Sequence, residues 1–185
     1  ELSAIGRYGI ILDSGGGSTT NFCQIIGNKV QSLSYALYCT GALGCNGNVF
    51  ADNYAQTTND GANPVYLQQF SGSNTIRDNV LVPTSAGGIQ TVGTSNGNII
   101  SGNTIINAKY AGMEIDSDNN IITNNNILNP GQAANNTYVG IQFVGTATHN
   151  IVMGNFITGT TANKPAYGIR EETGGDYNLI VGNYV

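Results

Sequence analysis

Three carboxylates in this chain have a spacing that suits acid–base chemistry: Glu114, Asp116 and Glu172. Glu114 and Asp116 stand two positions apart in a segment that alternates apolar and polar residues. On a strand they point to the same face, about 6 to 7 Å apart. Glu172 falls on that face two repeats later, about 10 Å away by strand spacing. Carboxylates about 6.5 to 9.5 Å apart can place a water between an acid and a base, so these three are the candidate catalytic residues.

Four more side chains on this face are candidates for binding a substrate. Gln90, Gln142 and Arg170 occupy the position of Glu114 in neighbouring repeats, and Tyr38 lies on the same predicted sheet. A second row two residues further on is predicted to contain Asp13, Thr40, Gln69, Val92, Asp116, Val144 and Glu172. The same residues also fit a solvated strip without catalysis, because the exposed face of a sheet must be polar in any case.

The element that positions these residues is an internal repeat. A six-residue pattern, N-x-apolar-x-x-N, recurs six times, and a seventh copy at Cys23–Asn28 has Cys in the first position. The second Asn of the copies recurs at intervals of 22 to 30 residues, and its positions are Asn28, Asn53, Asn79, Asn103, Asn125, Asn155 and Asn183. A repeat of this length predicts a solenoid.

Each repeat contains short segments that alternate apolar and polar residues with period two, and turn residues separate them. Such strands are too short to pair as hairpins, so each is expected to pair in parallel with its equivalent one coil away. The predicted fold is all-β: a right-handed parallel β-helix, a single-stranded solenoid of about seven coils of 22–30 residues. The whole chain, 1–185, forms one domain, with a lead-in at 1–7 and coils from about residue 8 to 185.

The repeated Asn has a physical explanation. It lies where the chain must turn, and Asn tolerates the left-handed backbone region better than other non-glycine residues. We expect the seven second-position asparagines to form a ladder, in which each side-chain amide bonds to the Asn of the next coil. Two positions further on, aliphatic residues are expected to point inward in a row, which Ala55 interrupts: Val30, Leu81, Ile105, Ile127, Ile157 and Val185.

With these motifs the chain resembles the right-handed parallel β-helix repeat proteins of the pectate-lyase-like superfamily, which include carbohydrate-binding and sugar-hydrolase repeats and phage tailspikes. The resemblance implies that the acids at Glu114, Asp116 and Glu172 hydrolyse a polysaccharide lying along the sheet. A lyase would instead use calcium, here on Glu114, Asp116 and Asp118, with Arg170 as the base. That alternative is disfavoured, because an anionic polymer needs positive charge along its track.

Composition excludes several classes of protein. Only 9% of the 185 residues are charged, the net charge is −5, and the six basic residues are scattered, which argues against nucleic-acid binding. The apolar runs are too short for a membrane span. A hydrophobic content of 40% is enough for a core, so the low charge does not indicate disorder.

Metal and thiol chemistry have little support. Cys23, Cys39 and Cys45 fit no zinc spacing, and the chain has one histidine, His149, which we expect in a surface turn. Cys39 could pair with Cys45, or Cys23 with Cys45, or all three could remain buried thiols. No cofactor and no metal site is predicted.

Two functions compete. The first is an extracellular, cell-surface or virion domain that binds a polysaccharide and hydrolyses it. The second is a structural or adhesive subunit, such as a spike shaft, surface-layer unit or filament protomer. The chain lacks obvious capping segments, so we expect it to be a fragment or a processed part of a longer protein. We also expect a homo-oligomer, either a trimer or an end-to-end assembly.

Overall fold

The computed structural model describes residues 2–3, 7–15, 18–58, 61–159 and 162–185. In these residues three strands per coil build three parallel sheets of seven strands each. Sheet 1 contains β1 (Leu2–Ser3), β4 (Lys29–Ser32), β7 (Tyr54–Thr57), β10 (Val80–Pro83), β13 (Thr104–Ile106), β16 (Asn126–Leu128) and β19 (Phe156–Thr158). Sheet 2 contains β2 (Ile10–Asp13), β5 (Leu37–Thr40), β8 (Val65–Leu67), β11 (Ile89–Thr91), β14 (Met113–Ile115), β17 (Val139–Phe143) and β20 (Tyr167–Glu171). Sheet 3 contains β3 (Gln24–Ile26), β6 (Val49–Ala51), β9 (Thr75–Arg77), β12 (Ile99–Ser101), β15 (Ile121–Thr123), β18 (Ile151–Met153) and β21 (Leu179–Val181).

Every strand pairs with its equivalent in the next coil, as the repeat predicts. Ile89 pairs with Met113, and Met113 pairs with Ile141. The chain is therefore a parallel β-solenoid, and its seven strands per sheet agree with the predicted seven coils. Within the predicted lead-in, Leu2–Ser3 already pair with β4, while residues 1 and 4–6 lie outside the described part of the chain.

The core consists of inward rows that follow from the period-two pattern. The predicted row on sheet 1 is buried from Val30 through Ala55 to Ile157, whereas Val185 in the final coil is 67% exposed. Rows from sheets 2 and 3 face this row, and Phe50 and Phe143 are the largest of their buried side chains. Burying one side chain of this kind contributes about 1.5–3 kcal/mol, and the repetition extends that contribution along the whole solenoid.

The predicted Asn ladder is present at the bend between sheets 3 and 1. Asn103 illustrates its bonds: Oδ1 accepts from the backbone N–H and the Nδ2 of Asn79 at 3.1 and 2.9 Å. Its own Nδ2 donates to the Ile76 carbonyl at 2.8 Å and to Asn125 Oδ1 at 3.0 Å. A second ladder, which the motif contains but which we did not predict, lies at the bend between sheets 2 and 3: Asn48, Asn74, Asn98, Asn120, Asn150 and Asn178.

The structure corrects the backbone role assigned to the ladder asparagines. The residue in the left-handed region is the one before each of them, as at Gly27 (φ 70°), Asp52 (φ 57°) and Asn124 (φ 55°). The left-handed residue makes the bend, so the following Asn continues at negative φ with its side chain directed inward. Positions ahead of the ladder are therefore filled by Gly, Asn and Asp, the residues that tolerate this conformation.

The three cysteines are thiols. Cys39 and Cys45 are buried, and Cys45 Sγ donates to the Leu12 carbonyl at 3.0 Å. Contact with the Cys45 thiol, together with burial, raises the pKa of Cys39. Of the alternatives left open by the spacing, the structure has the unbridged one, in which Cys39 and Cys45 act as small core residues.

Candidate functional site

The outer face of sheet 2 carries a row of side chains that changes from coil to coil. We call it the central column: Ile11, Tyr38, Tyr66, Gln90, Glu114, Gln142 and Arg170. Strand pairing places Gln90, Glu114, Gln142 and Arg170 in consecutive coils, in the predicted order. Neighbours in the column are about 4.8 Å apart along the solenoid axis.

A second outward row two residues further on contains one error of prediction. Cys39 pairs with Leu67, so Thr40 is followed in this row by Gln68 rather than by Gln69. Tyr66 points outward, and the next outward residue by the period of two is therefore Gln68. Its Oε1 accepts hydrogen bonds from Tyr38 Oη at 2.7 Å and from Thr40 Oγ1 at 2.5 Å.

Glu114 sits half-buried in the middle of the central column. Gln90 Nε2 donates to its Oε1 at 2.7 Å, and Gln90 is itself held by Asn63, whose Nδ2 donates to Gln90 Oε1 at 2.6 Å. Burial raises the pKa of Glu114, and the charges of Asp116 and Glu172 add to the rise, against the opposing bond from Gln90. Glu114 therefore holds its proton more tightly than an ordinary glutamate.

Glu172 has the opposite environment. Arg170 Nη2 donates to Glu172 Oε1 at 2.8 Å, and Gln142 Nε2 donates to the same oxygen at 2.6 Å. These donors stabilise the ionised form, and the hydrogen bond from Arg170 is the main cause of a lowered pKa for Glu172. The structure thus places two carboxylates, two coils apart on one face, with pKa values displaced in opposite directions.

A cleft of about 340 Å³ opens beside Glu114. Its lining consists of Tyr110, Ala111, Glu114, Tyr138 and Gln142. The two tyrosine rings pack with their centroids 5.0 Å apart. Sequence reasoning missed this pair, although a signal was available: Tyr110 and Tyr138 each lie three residues before the paired core residues Met113 and Ile141.

Tyr38 is not part of that cleft. It lies three strands from Glu114, about 14 Å by strand spacing, and packs in a separate group of aromatic rings. We call this group the tyrosine cluster: Tyr8, Tyr35, Tyr38 and Tyr66. The predicted binding residues are therefore divided between two places on the same face.

Asp116 lines a smaller cleft of about 240 Å³ together with Thr94, Asp118 and Thr146. Asp118 Oδ1 accepts from the backbone N–H and the Oγ1 of Thr148 at 2.7 and 3.1 Å, so this carboxylate holds a turn. The described residues contain no group of three or more His, Cys, Asp or Glu side chains that could hold a metal ion.

His149 lies in a surface turn, as predicted. It is exposed, its φ is 58°, and its ring stacks on Tyr177 at 5.1 Å. The described part of the chain has no helix with the length and apolarity needed to cross a membrane.

Comparison with solved structures finds the same fold in two proteins. The enzymatically active domain of tailspike protein 2 of bacteriophage CBA120 matches with a TM-score of 0.67 and 17% identity, over 91% of this chain and 25% of that one. DFA-IIIase from Arthrobacter chlorophenolicus A6 in complex with GF2, without its lid, matches with a TM-score of 0.65 and 12% identity, over 95% and 50% of the two chains. The chain thus spans a quarter to a half of these proteins.

No curated protein sequence matches the chain. A family model does: the one described as periplasmic copper-binding protein (NosD) matches residues 3–185. That match covers almost every coil of the solenoid, and the chain accordingly belongs to the NosD family of parallel β-helix proteins.

Proposed function

We propose that this protein binds a polysaccharide on the outer face of sheet 2 and hydrolyses it beside the Glu114 cleft. The contrasting surroundings of the two carboxylates carry the proposal: Glu114 is half-buried, whereas Glu172 accepts hydrogen bonds from Arg170 and Gln142. Their pKa values are displaced in opposite directions accordingly. A carboxyl group that keeps its proton serves as the general acid, and an ionised one serves as the base that activates water. The folds of the tailspike domain and of DFA-IIIase support a carbohydrate ligand by analogy.

The spacing of the two carboxylates fits this division of roles. Two strand spacings along the solenoid axis and two residues along the strand separate their backbones by about 12 Å. The Glu172 carboxylate reaches back one coil, to Gln142 Nε2 at 2.6 Å, which brings it toward the spacing of an inverting glycosidase, about 6.5–9.5 Å. Asp116, on the same face as Glu114, adds negative charge that raises the pKa of Glu114. It thereby helps to keep the acid protonated.

The cleft residues supply the contacts that orient a sugar. Tyr110 and Tyr138 present aromatic surface with polar hydroxyls, which is the usual character of a carbohydrate-binding wall. Gln142 lines the cleft and donates to Glu172. Gln90 uses both ends of its amide to hold Glu114 in place, so it acts as a positioning residue rather than as a direct ligand.

Incubation with a panel of soluble polysaccharides, followed by a reducing-end assay, tests the proposal. Glu114→Gln should reduce hydrolysis at least 100-fold while leaving polysaccharide binding intact. The matched control is Asp52→Asn, a carboxylate in the bend between sheets 3 and 1, which should retain full activity. Equal activity of Glu114→Gln and the wild-type chain would refute the assignment of the acid.

The family is described as copper-binding, so copper is a candidate ligand. The described residues do not provide a site that fits copper. His149 stacks on Tyr177, Met113 is buried in the core, and Met153 is on the outer face of sheet 3. The thiols of Cys39 and Cys45 are also buried. Cys23 packs partly buried against the same core. The described residues bring no three His, Cys, Asp or Glu side chains together in a way that could hold a metal ion, and the proposed hydrolysis assigns no step to copper.

We further propose that the protein works outside the cytoplasm, a location supported by the periplasmic description of its family. Fractionation of the producing cells tests this, and recovery of the full-length protein in the cytoplasm alone would contradict it.

A second candidate function, that of an assembling subunit, is favoured by the outer face of sheet 3. Ile99, Ile121 and Leu179 are 42%, 39% and 55% exposed and lie in one row, and Met153 and Val181 form part of the next. Exposed apolar rows of this kind are typical of protein interfaces. Light scattering over a range of concentrations tests it: a wild-type oligomer that Ile121→Lys converts to a monomer supports assembly, and a wild-type monomer at every concentration excludes it.

A further inference from the structure

The tyrosine cluster is a large aromatic surface that the hydrolysis proposed above leaves unused. Tyr35 packs on Tyr66 with ring centroids 4.7 Å apart and planes 19° apart, and on Tyr38 at 4.8 Å. Tyr8 extends the group, with its ring 6.0 Å from that of Tyr35 and parallel to it within 5°. All four residues are partly exposed, so the cluster presents part of its surface to solvent.

The cluster and the Glu114 cleft share the central column of sheet 2. Tyr66 pairs with Gln90, and Gln90 pairs with Glu114, in consecutive coils of the central column. Burial is the main cause of a raised pKa for Tyr66, and the ionised forms of Tyr35 and Tyr38 and the charge of Glu114 add to the rise. Two strand spacings, about 10 Å, separate Tyr66 from Glu114.

The coil between the two aromatic groups has small residues just before its sheet 2 strand. Three residues before the paired Ile89 and Met113, one coil has Ala86 where the next has Tyr110. Ala86 is followed by Gly87 and Gly88, so no bulky side chain of this segment separates the tyrosine cluster from the cleft. A linear chain lying parallel to the solenoid axis can therefore contact both groups.

The charges on this face favour an uncharged ligand. Glu114, Asp116 and Glu172 are acidic, and the one guanidinium of the central column, that of Arg170, is paired with Glu172. Two further cations lie over aromatic rings, each 5.5 Å from the centroid: Arg7 over Tyr8 at the far end of the cluster, and Lys109 over Tyr110 in the cleft. The three carboxylates outnumber the Lys109 cation of the cleft. A polyanion would meet like charge beside the cleft, whereas a neutral sugar presents C–H groups to aromatic rings and hydroxyls to the flanking amides.

We propose that the tyrosine cluster is a second glycan subsite, at which Tyr66 and its neighbours stack on a sugar ring of a linear, uncharged polysaccharide whose next units fill the Glu114 cleft. This inference rests on the proposed function and extends it to the class and orientation of the ligand. It predicts that affinity grows with chain length until both subsites are filled.

Oligomers of graded length test the inference. Dextran, xylan, galactomannan and inulin are first compared for binding, and oligomers of two to eight units of the tightest binder are then titrated calorimetrically. Tyr66→Ala should weaken binding of the longest oligomer about tenfold and leave that of the shortest unchanged. Tyr66→Phe, which keeps the ring, should stay within twofold of the wild-type chain, and Tyr110→Ala should weaken oligomers of every length.

If Tyr66→Ala fails to fold, Tyr66→Leu is titrated in its place, because leucine keeps apolar packing but lacks the aromatic face. Wild-type affinity of Tyr66→Ala or Tyr66→Leu for every length would overturn the second subsite while leaving the cleft assignment standing. Tighter binding of polygalacturonate than of all four neutral glycans would overturn the ligand class. Failure of the wild-type chain to bind any glycan would overturn the proposed function together with this inference.

Discussion

The two bends of each coil that carry Asn ladders and the outer face of sheet 2 follow opposite rules. At the bend between sheets 3 and 1 every coil places asparagine at the same position, from Asn28 to Asn183. The central column of sheet 2, by contrast, runs through Ile, Tyr, Gln, Glu and Arg with little repetition. The bends bury polar groups that only an identical neighbour can satisfy, while the outer face has water as an alternative partner. Repetition therefore marks what holds the solenoid together, and departure from repetition marks where a ligand can bind.

The largest predicted effect is the loss of one ladder rung. Asn103→Ala removes the acceptor of the buried Asn79 backbone N–H and of one Asn79 Nδ2 hydrogen, and it removes a donor to the Ile76 carbonyl. Unsatisfied buried groups cost about 1–3 kcal/mol each. We expect the free energy of unfolding to fall by about 3 kcal/mol in urea titrations. The matched control is Asn126→Ala, on the exposed face of sheet 1, which should change it by less than about 0.5 kcal/mol. Similar losses for both variants would contradict the distinction between bends and faces.

The left-handed residue before each ladder Asn is predicted to have the next largest effect. Gly27 has a φ of 70°, and a Cβ built there would meet nothing within 4 Å, so conformation alone decides the outcome. Gly27→Val should destabilise the protein by about 2 kcal/mol, because the left-handed region disfavours L-residues, β-branched ones most of all. Gly27→Asn should cost much less, since Asn124 already has this conformation at the equivalent bend. Equal melting temperatures of the two variants would show that the bend does not need this backbone.

The pH dependence of stability tests the burial of Glu114 on the outer face of sheet 2. Burial raises its pKa in the folded chain above the unfolded value near 4.5, so the folded chain binds the proton more tightly. Its stability therefore falls as pH rises through the window between the two pKa values. Glu114→Gln lacks this dependence: it should match the wild-type chain at about pH 3.5 and be more stable at about pH 7.5. A wild-type chain that is the more stable of the two at the higher pH would contradict the burial of this carboxyl.

The smallest effect on stability is expected at Arg170. Its ion pair with Glu172 is about one third exposed, and surface pairs contribute about 0–1 kcal/mol. Arg170→Gln should therefore barely change the melting temperature. Loss of the guanidinium should raise the pKa of Glu172, so the acid limb of the pH–activity profile should move to higher pH. An unmoved acid limb would exclude Glu172 as the base.

The sequence was sufficient to predict the solenoid because its determinants are local and recur in every coil. The Asn motif and the period-two strands fixed the register, which placed Gln90, Glu114 and Gln142 in adjacent coils as expected. The site was harder to predict, because it depends on what differs between coils. Tyr110 and Tyr138 lie just before strands, after connecting segments of varying length. The period-two pattern of the strands does not extend to them and so does not predict their positions.

Two smaller errors concern single positions. The predicted position of Gln69 in the second row is wrong by one residue, because Gln68 is the outward residue that follows Leu67. A shift of one residue moves a side chain to the other face. The sequence also predicts the left-handed backbone at the ladder Asn itself, because Asn tolerates that conformation better than other non-glycine residues. The side-chain bonds of the ladder instead require the left-handed residue to come one position earlier.

Tyrosine-ring NMR in the presence of a bound glycan tests the central claim most directly. The chain has no tryptophan and ten tyrosines, and these lie on contrasting faces of the solenoid. The account predicts shifts for Tyr66, Tyr110 and Tyr138 on the sheet 2 face and unchanged resonances for Tyr54 on sheet 1 and for Tyr184. Shifts at Tyr54 and Tyr184, with none at Tyr66, Tyr110 or Tyr138, would contradict it.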